Sequence, residues 1–134
     1  MLNFKDFKMH EKIKIADERG AFKIPPTEKK ILSRVLQKIF STVSNSISEV
    51  EFFDSGYRGI AFKYKKNEYF IMYSSGKVGL DDQSMGYFTL KMNGDRRPII
   101  NIEPNYHERG YGETKPDENN EQEFIRKVKE YFRI

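Results

Sequence analysis

The chain has 134 residues, no cysteine, 37% hydrophobic and 14% aromatic residues, and a formal net charge of +4 with a pI near 9.2. A chain of this length buries about two-thirds of its unfolded surface, enough for one core without metal or disulfide, and a single domain over 1–134 is expected. Without cysteine, disulfide staples, thiolate nucleophiles and cysteine-based zinc sites are excluded.

Residues 1–24 mix charge and hydrophobe ("MLNFKDFKMHEKIKI") with no apolar run of the signal-peptide kind, and read as an arm or an edge strand. No stretch approaches the roughly 20 apolar residues of a membrane span, so no membrane partner and a cytoplasmic location are expected. Pro25-Pro26 marks a boundary, because two fixed φ angles and two missing N–H groups stop a continuing helix. The clearest helix follows over 27–44, with Ile31, Leu32, Val35, Leu36, Ile39, Phe40 and Val43 on one stripe and Thr27 placed to cap it. Lys30, Arg34 and Lys38 recur every fourth residue on another side of that helix.

Strands are expected over 48–53, 57–64, 68–73 and 86–92, where aromatic and β-branched residues partly alternate. Their connectors "DSG", "KKN" and "SSGK" carry turn chemistry and are short, which favours antiparallel hairpins. Asn93-Gly94 suits a tight turn, although Arg96, Arg97 and Pro98 favour equally a wider loop whose return strand begins at Ile99. A last helix over about 120–133 carries Phe124, Ile125, Val128, Tyr131 and Phe132, with Asn120 and Glu123 imitating a capping box. The expected fold is α+β: a long helix in the N-terminal third and a C-terminal helix packed on an antiparallel meander of about five strands. One sheet face lies under the helices; the other is expected to be open and rich in tyrosine.

The charge is uneven. Residues 1–48 hold ten Lys/Arg against five Asp/Glu, and residues 49–134 hold fourteen against fifteen. A basic excess favours a polyanionic partner, because cations displace the counterions that phosphates condense. The stretch "RGIAFKY" fits an RNA-recognition strand at Arg58, Gly59, Ala61 and Phe62. It lacks two of the three aromatic platforms, and a strand follows where that fold requires a helix. A looser nucleic-acid surface is expected from Tyr57, Tyr69, Tyr73 and Tyr87 interleaved with Arg58, Lys63 and Lys65, with Lys30, Arg34 and Lys38 tracking phosphates. In the long loop 103–120, "NYHERGYG" offers Tyr106, Arg109 and Tyr111 for recognition, because Tyr and Arg dominate binding hot spots.

The same loop supplies the alternative. His107 can move a proton, Glu108 can accept one, and Arg96 or Arg97 can neutralise a phosphorane, which together is the inventory of a metal-independent ribonuclease. A second histidine would have to come from His10 in the arm. No metal site or cofactor is implied: "SSGKVG" lacks the first glycine of a phosphate loop, and Asp81-Asp82 is an adjacent acidic pair of the kind that turns leave solvated. The favoured expectation is a small, basic, non-catalytic binding protein for a nucleic acid or a protein partner. Size and composition suit an accessory or inhibitor protein of a phage or mobile element. A third reading is an assembly protein that oligomerises through an open sheet edge.

Overall fold

The structure is a computed structural model that describes residues 13–17, 20–54, 57–74, 87–103 and 117–134, with the backbone of 77–78 and 112–113. The chain enters as β1 (Ala16–Asp17), passes a 3-10 turn (Ala21–Lys23) and reaches helix α1 (Pro26–Phe40). Pro25 occupies the N-cap and Pro26 the first helical position, where a missing N–H is no loss and φ is already set. Thr27 therefore lies inside the first turn and is not the cap. The α-helix also ends at Phe40, short of 44. It runs into a 3-10 turn (Ser41–Ser46) where Val43 leaves helical angles at φ −126°, ψ 32°. Ser and Asn side chains in that turn compete with helical hydrogen bonds.

Five strands follow the expected order: β2 (Ile47–Asp54), β3 (Arg58–Tyr64), β4 (Asn67–Tyr73), β6 (Phe88–Met92) and β7 (Ile100–Ile102). Each pairs antiparallel with the next, while β5 (Lys77–Val78) and β8 (Gly112–Glu113) form a separate two-stranded ribbon. The main sheet is nevertheless six-stranded and mixed, because β1 lies parallel to β2 at the edge. That direction follows from connectivity: the chain leaves β1, crosses through α1 and returns in β2, and a helical crossover brings a strand back parallel. Gln37 of α1 holds the arm by a two-way amide clamp, donating to the Ile13 carbonyl at 2.7 Å and accepting from the Ile13 N–H at 3.1 Å. Lys29 adds an ion pair to Asp17 at 2.9 Å.

The chain closes with α2 (Glu118–Phe132). Its cap is Asp117, whose carboxylate accepts from the Asn120 N–H at 2.9 Å, so the helix begins two residues before the expected 120. Both helices cover one sheet face. Leu32, Val35, Leu36, Ile39 and Phe40 of α1 meet Phe124, Val128 and Phe132 of α2 over Ile60, Phe62, Ile71, Phe88 and Leu90. Ile31, Val43 and Ile125 are partly buried against this core, whereas Tyr131 is left exposed. Phe132 stands edge-on to Tyr64 and Tyr69, each at 4.9 Å between ring centres, and Phe40 stands edge-on to Phe62 at 5.1 Å.

Gly59, the glycine of "RGIAF", has a packing reason. A Cβ built there lies 2.2 Å from the Ile71 carbonyl oxygen and 2.8 Å from the Phe70 ring, so only hydrogen fits. Because the obstacle is backbone of the neighbouring strand, Gly59→Ala is expected to destabilise by about 2–3 kcal/mol. A urea-denaturation midpoint equal to that of the wild type would refute this account of the glycine.

Candidate functional site

Arg34 and Lys38 of the cationic row of α1 line a cleft of about 300 Å³ where the two helices meet, together with Ile31, Phe88 and Glu121. Glu121 is 7% exposed and takes most of the row's charge. Arg34 Nε donates to both of its oxygens, at 3.0 and 3.2 Å, Nη2 donates to Oε1, and Lys38 Nζ approaches Oε2 at 3.8 Å. The hydrogen bond to Glu121 raises the Arg34 pKa against the opposing effect of burial. The row thus splits: Arg34 and Lys38 serve α2, and Lys30 alone remains exposed without an ion pair among the described residues.

Next to this pair lies Tyr73, 8% exposed in the core. Burial raises its phenol pKa, Glu28 and Glu121 push the same way, and Arg34 opposes them. Since the folded value lies above the unfolded one near 10.0, stability is complete below that pH and is lost as pH climbs through the folded value. Wild type should therefore lose more stability than Tyr73→Phe between about pH 8 and about pH 11, and urea midpoints at the two pH values check it. Arg34→Ala should destabilise by about 2 kcal/mol in the same assay. That is less than the ~3–5 kcal/mol of a fully buried pair, because Arg34 is half exposed.

The expected open tyrosine face is not there. Tyr69, Tyr73 and Tyr87 are 6%, 8% and 3% exposed and belong to the core beneath the helices. Tyr69 and Tyr73 share the parity of Ile71 in β4, so seating Ile71 under the helices seats them too. Arg58 is consumed by Glu28 at 3.0 Å and by Asp54 at 3.7 Å. Lys63 pairs with Glu49 at 2.7 Å, and that hydrogen bond raises its pKa. The opposite sheet face is not bare: Ala61, Phe70 and Met72 are buried there, with Phe53 packed against them.

One cleft open on that opposite face, about 360 Å³ in volume, lies between Tyr57 and the 93–98 turn. Met72, Thr89 and Lys91 line it together with Gly94, Asp95 and Arg96. The turn is the wider of the two expected loops. It is closed by Asp95 N–H to the Met92 carbonyl at 3.1 Å and Ile99 N–H to the Leu90 carbonyl at 2.7 Å, with Gly94 at φ +91°. Asn93 ties it to β4, its N–H donating to the Glu68 carbonyl at 2.9 Å and its amide to the Glu68 carboxylate at 2.8 Å. The register sets the Lys65-Lys66 turn, between Tyr64 and Asn67, at the same end of the sheet as this turn, since Tyr69 pairs with Met92. Lys65, Lys66, Arg96 and Arg97 are exposed and form no ion pair among the described residues.

Tyr106, His107, Glu108, Arg109 and Tyr111 lie outside the described residues, as do His10, Asp81 and Asp82. Among the described residues no group of three His, Asp or Glu side chains is placed to hold a metal ion, and no helix is long and apolar enough to cross a membrane. The sequence pattern brought Arg96, Arg97 and Lys65 forward but separately. Their convergence depends on strand register, and the one local signal for it was the Asn-Gly turn followed by Arg-Arg-Pro. Comparisons with protein-family models, curated proteins and solved structures find no match.

Proposed function

We propose that this chain is a small non-catalytic binding protein that engages a single-stranded nucleic acid through the end of the sheet formed by the 65–66 and 93–98 turns. The observation that supports it most is the set of unpaired cations there. Segments 64–68 and 91–97 hold five Lys/Arg, none of them ion-paired among the described residues, against two carboxylates, Glu68 and Asp95. Elsewhere Lys29, Arg34, Lys38 and Arg58 are held by acids of the fold. A single strand suits the site better than a duplex. The cations flank a half-exposed tyrosine and a narrow cleft, and neither helix presents them as a continuous row for a groove. Binding by occupancy fits an accessory or inhibitor protein of a phage or mobile element.

The test is fluorescence anisotropy with labelled RNA and DNA strands of about twelve nucleotides, a span typical of small single-strand binders. Log K should fall by about 0.7 per contacted phosphate for each log unit of salt, and Arg96→Ala/Arg97→Ala should flatten the slope by about 1.4. Lys30→Ala, remote from the two turns, should leave the slope unchanged. No binding of either strand at low salt would remove the nucleic-acid reading and leave a protein partner for the same cations. Cleavage of the RNA in EDTA that disappears in His107→Ala would establish the ribonuclease alternative instead.

A further inference from the structure

Resting on the nucleic-acid reading, we propose that the cleft between Tyr57 and the 93–98 turn receives one nucleotide of the bound strand. Its base lies on the Tyr57 ring and its phosphate between Lys91 and Arg96. The volume, about 360 Å³, falls near the lower end of small-ligand sites, which run roughly from 300 to 1,000 Å³, and so admits one nucleotide unit rather than several.

The lining divides into the parts a nucleotide needs. Tyr57 is 48% exposed, one of three large hydrophobic side chains that stay open among the described residues, and the only tyrosine of β3, β4 and their flanks to do so. Met72, 5% exposed, supplies an apolar floor beside it. Lys91 and Arg96 form no ion pair among the described residues, so an entering phosphate does not have to displace a carboxylate from either. The Thr89 hydroxyl donates to Asn101 Oδ1 at 2.7 Å, which leaves its lone pairs to accept from a base amino group. Asp95, the one carboxylate of the lining, is an acceptor for base N–H groups and keeps the cleft from attracting phosphate alone. Gly94 leaves the rim open, since a Cβ there would meet no atom within 4 Å. Beyond the rim, Arg97, Lys65 and Lys66 extend the positive surface along which flanking phosphates run.

Two variants separate stacking from charge. Tyr57→Ala is expected to lower affinity for the labelled strand by roughly ten- to a hundredfold with the salt slope unchanged, because a base contact releases no counterions. Tyr57→Phe, which keeps the ring, should bind as the wild type does. In parallel, AMP and UMP at millimolar concentration should shift the backbone amide resonances of Tyr57, Met72 and residues 89–97, whereas ribose 5-phosphate at the same concentration should shift those near Lys91 and Arg96 only. If the strand binds with its usual salt slope but Tyr57→Ala leaves affinity intact, or AMP and UMP shift nothing in the cleft, the single-nucleotide pocket is wrong and the nucleic-acid reading stands. If neither strand nor mononucleotide binds, both fall.

Discussion

Successive side chains of a strand point to opposite faces, and that parity governs what this protein exposes. Ile60, Phe62 and Ile71 are drawn under the two helices, where each is fully buried. Tyr64, Tyr69 and Tyr73 occupy the same parity and go with them, their rings completing the aromatic packing around Phe132 and Phe88. Burying a tyrosine ring is favourable as long as its hydroxyl finds a polar neighbour. Tyr73 meets that condition beside the Arg34–Glu121 pair. The helix-covered core and the absence of an aromatic platform on β4 are therefore one fact seen from two sides.

A second constraint concerns charge. A carboxylate buried as deeply as Glu121 needs cationic partners, and α1 provides them from the face that turns toward α2. Arg34 and Lys38 thus join the helices rather than a ligand. The same logic retires Arg58, which spans Glu28 of α1 and Asp54 of β2 and so pins the helix to the sheet end. Of the cations that form no ion pair among the described residues, Lys65, Lys66, Arg96 and Arg97 lie together on the turns at one end of the sheet. The basic excess of residues 1–48 gave no hint of this place.

The 93–98 turn joins both constraints. Asn93 bonds to Glu68 across the sheet, which fixes the turn against β4. Because the turn is wide, it rises over the face opposite the helices and makes one wall of a cleft whose floor is Met72 and Thr89. A tight two-residue hairpin at Asn93-Gly94 would have set Arg97 into the ladder opposite Leu90 and left no cleft.

Local chemistry by itself determined the α+β class, the 3.6-residue stripe of α1, the boundary at Pro25-Pro26 and the five central strands, because those depend on neighbours within a few residues. It did not determine the sixth strand. Ala16–Asp17 has no alternation to read, and it pairs only because the α1 crossover returns the chain beside it. Helix ends are ambiguous within a few residues where two polar side chains can each cap, as Asp117 and Asn120 can. The availability of side chains was decided by tertiary structure alone. Tyr69 and Tyr57 look alike in sequence, yet one is packed against Phe132 and the other faces a cleft. Arg34 and Arg96 are equally charged, yet one meets a buried glutamate 87 positions away in the chain and the other meets none among the described residues. Whether a ring or a charge is free depends on partners brought together by register and helix packing, and no spacing within the chain encodes those distances.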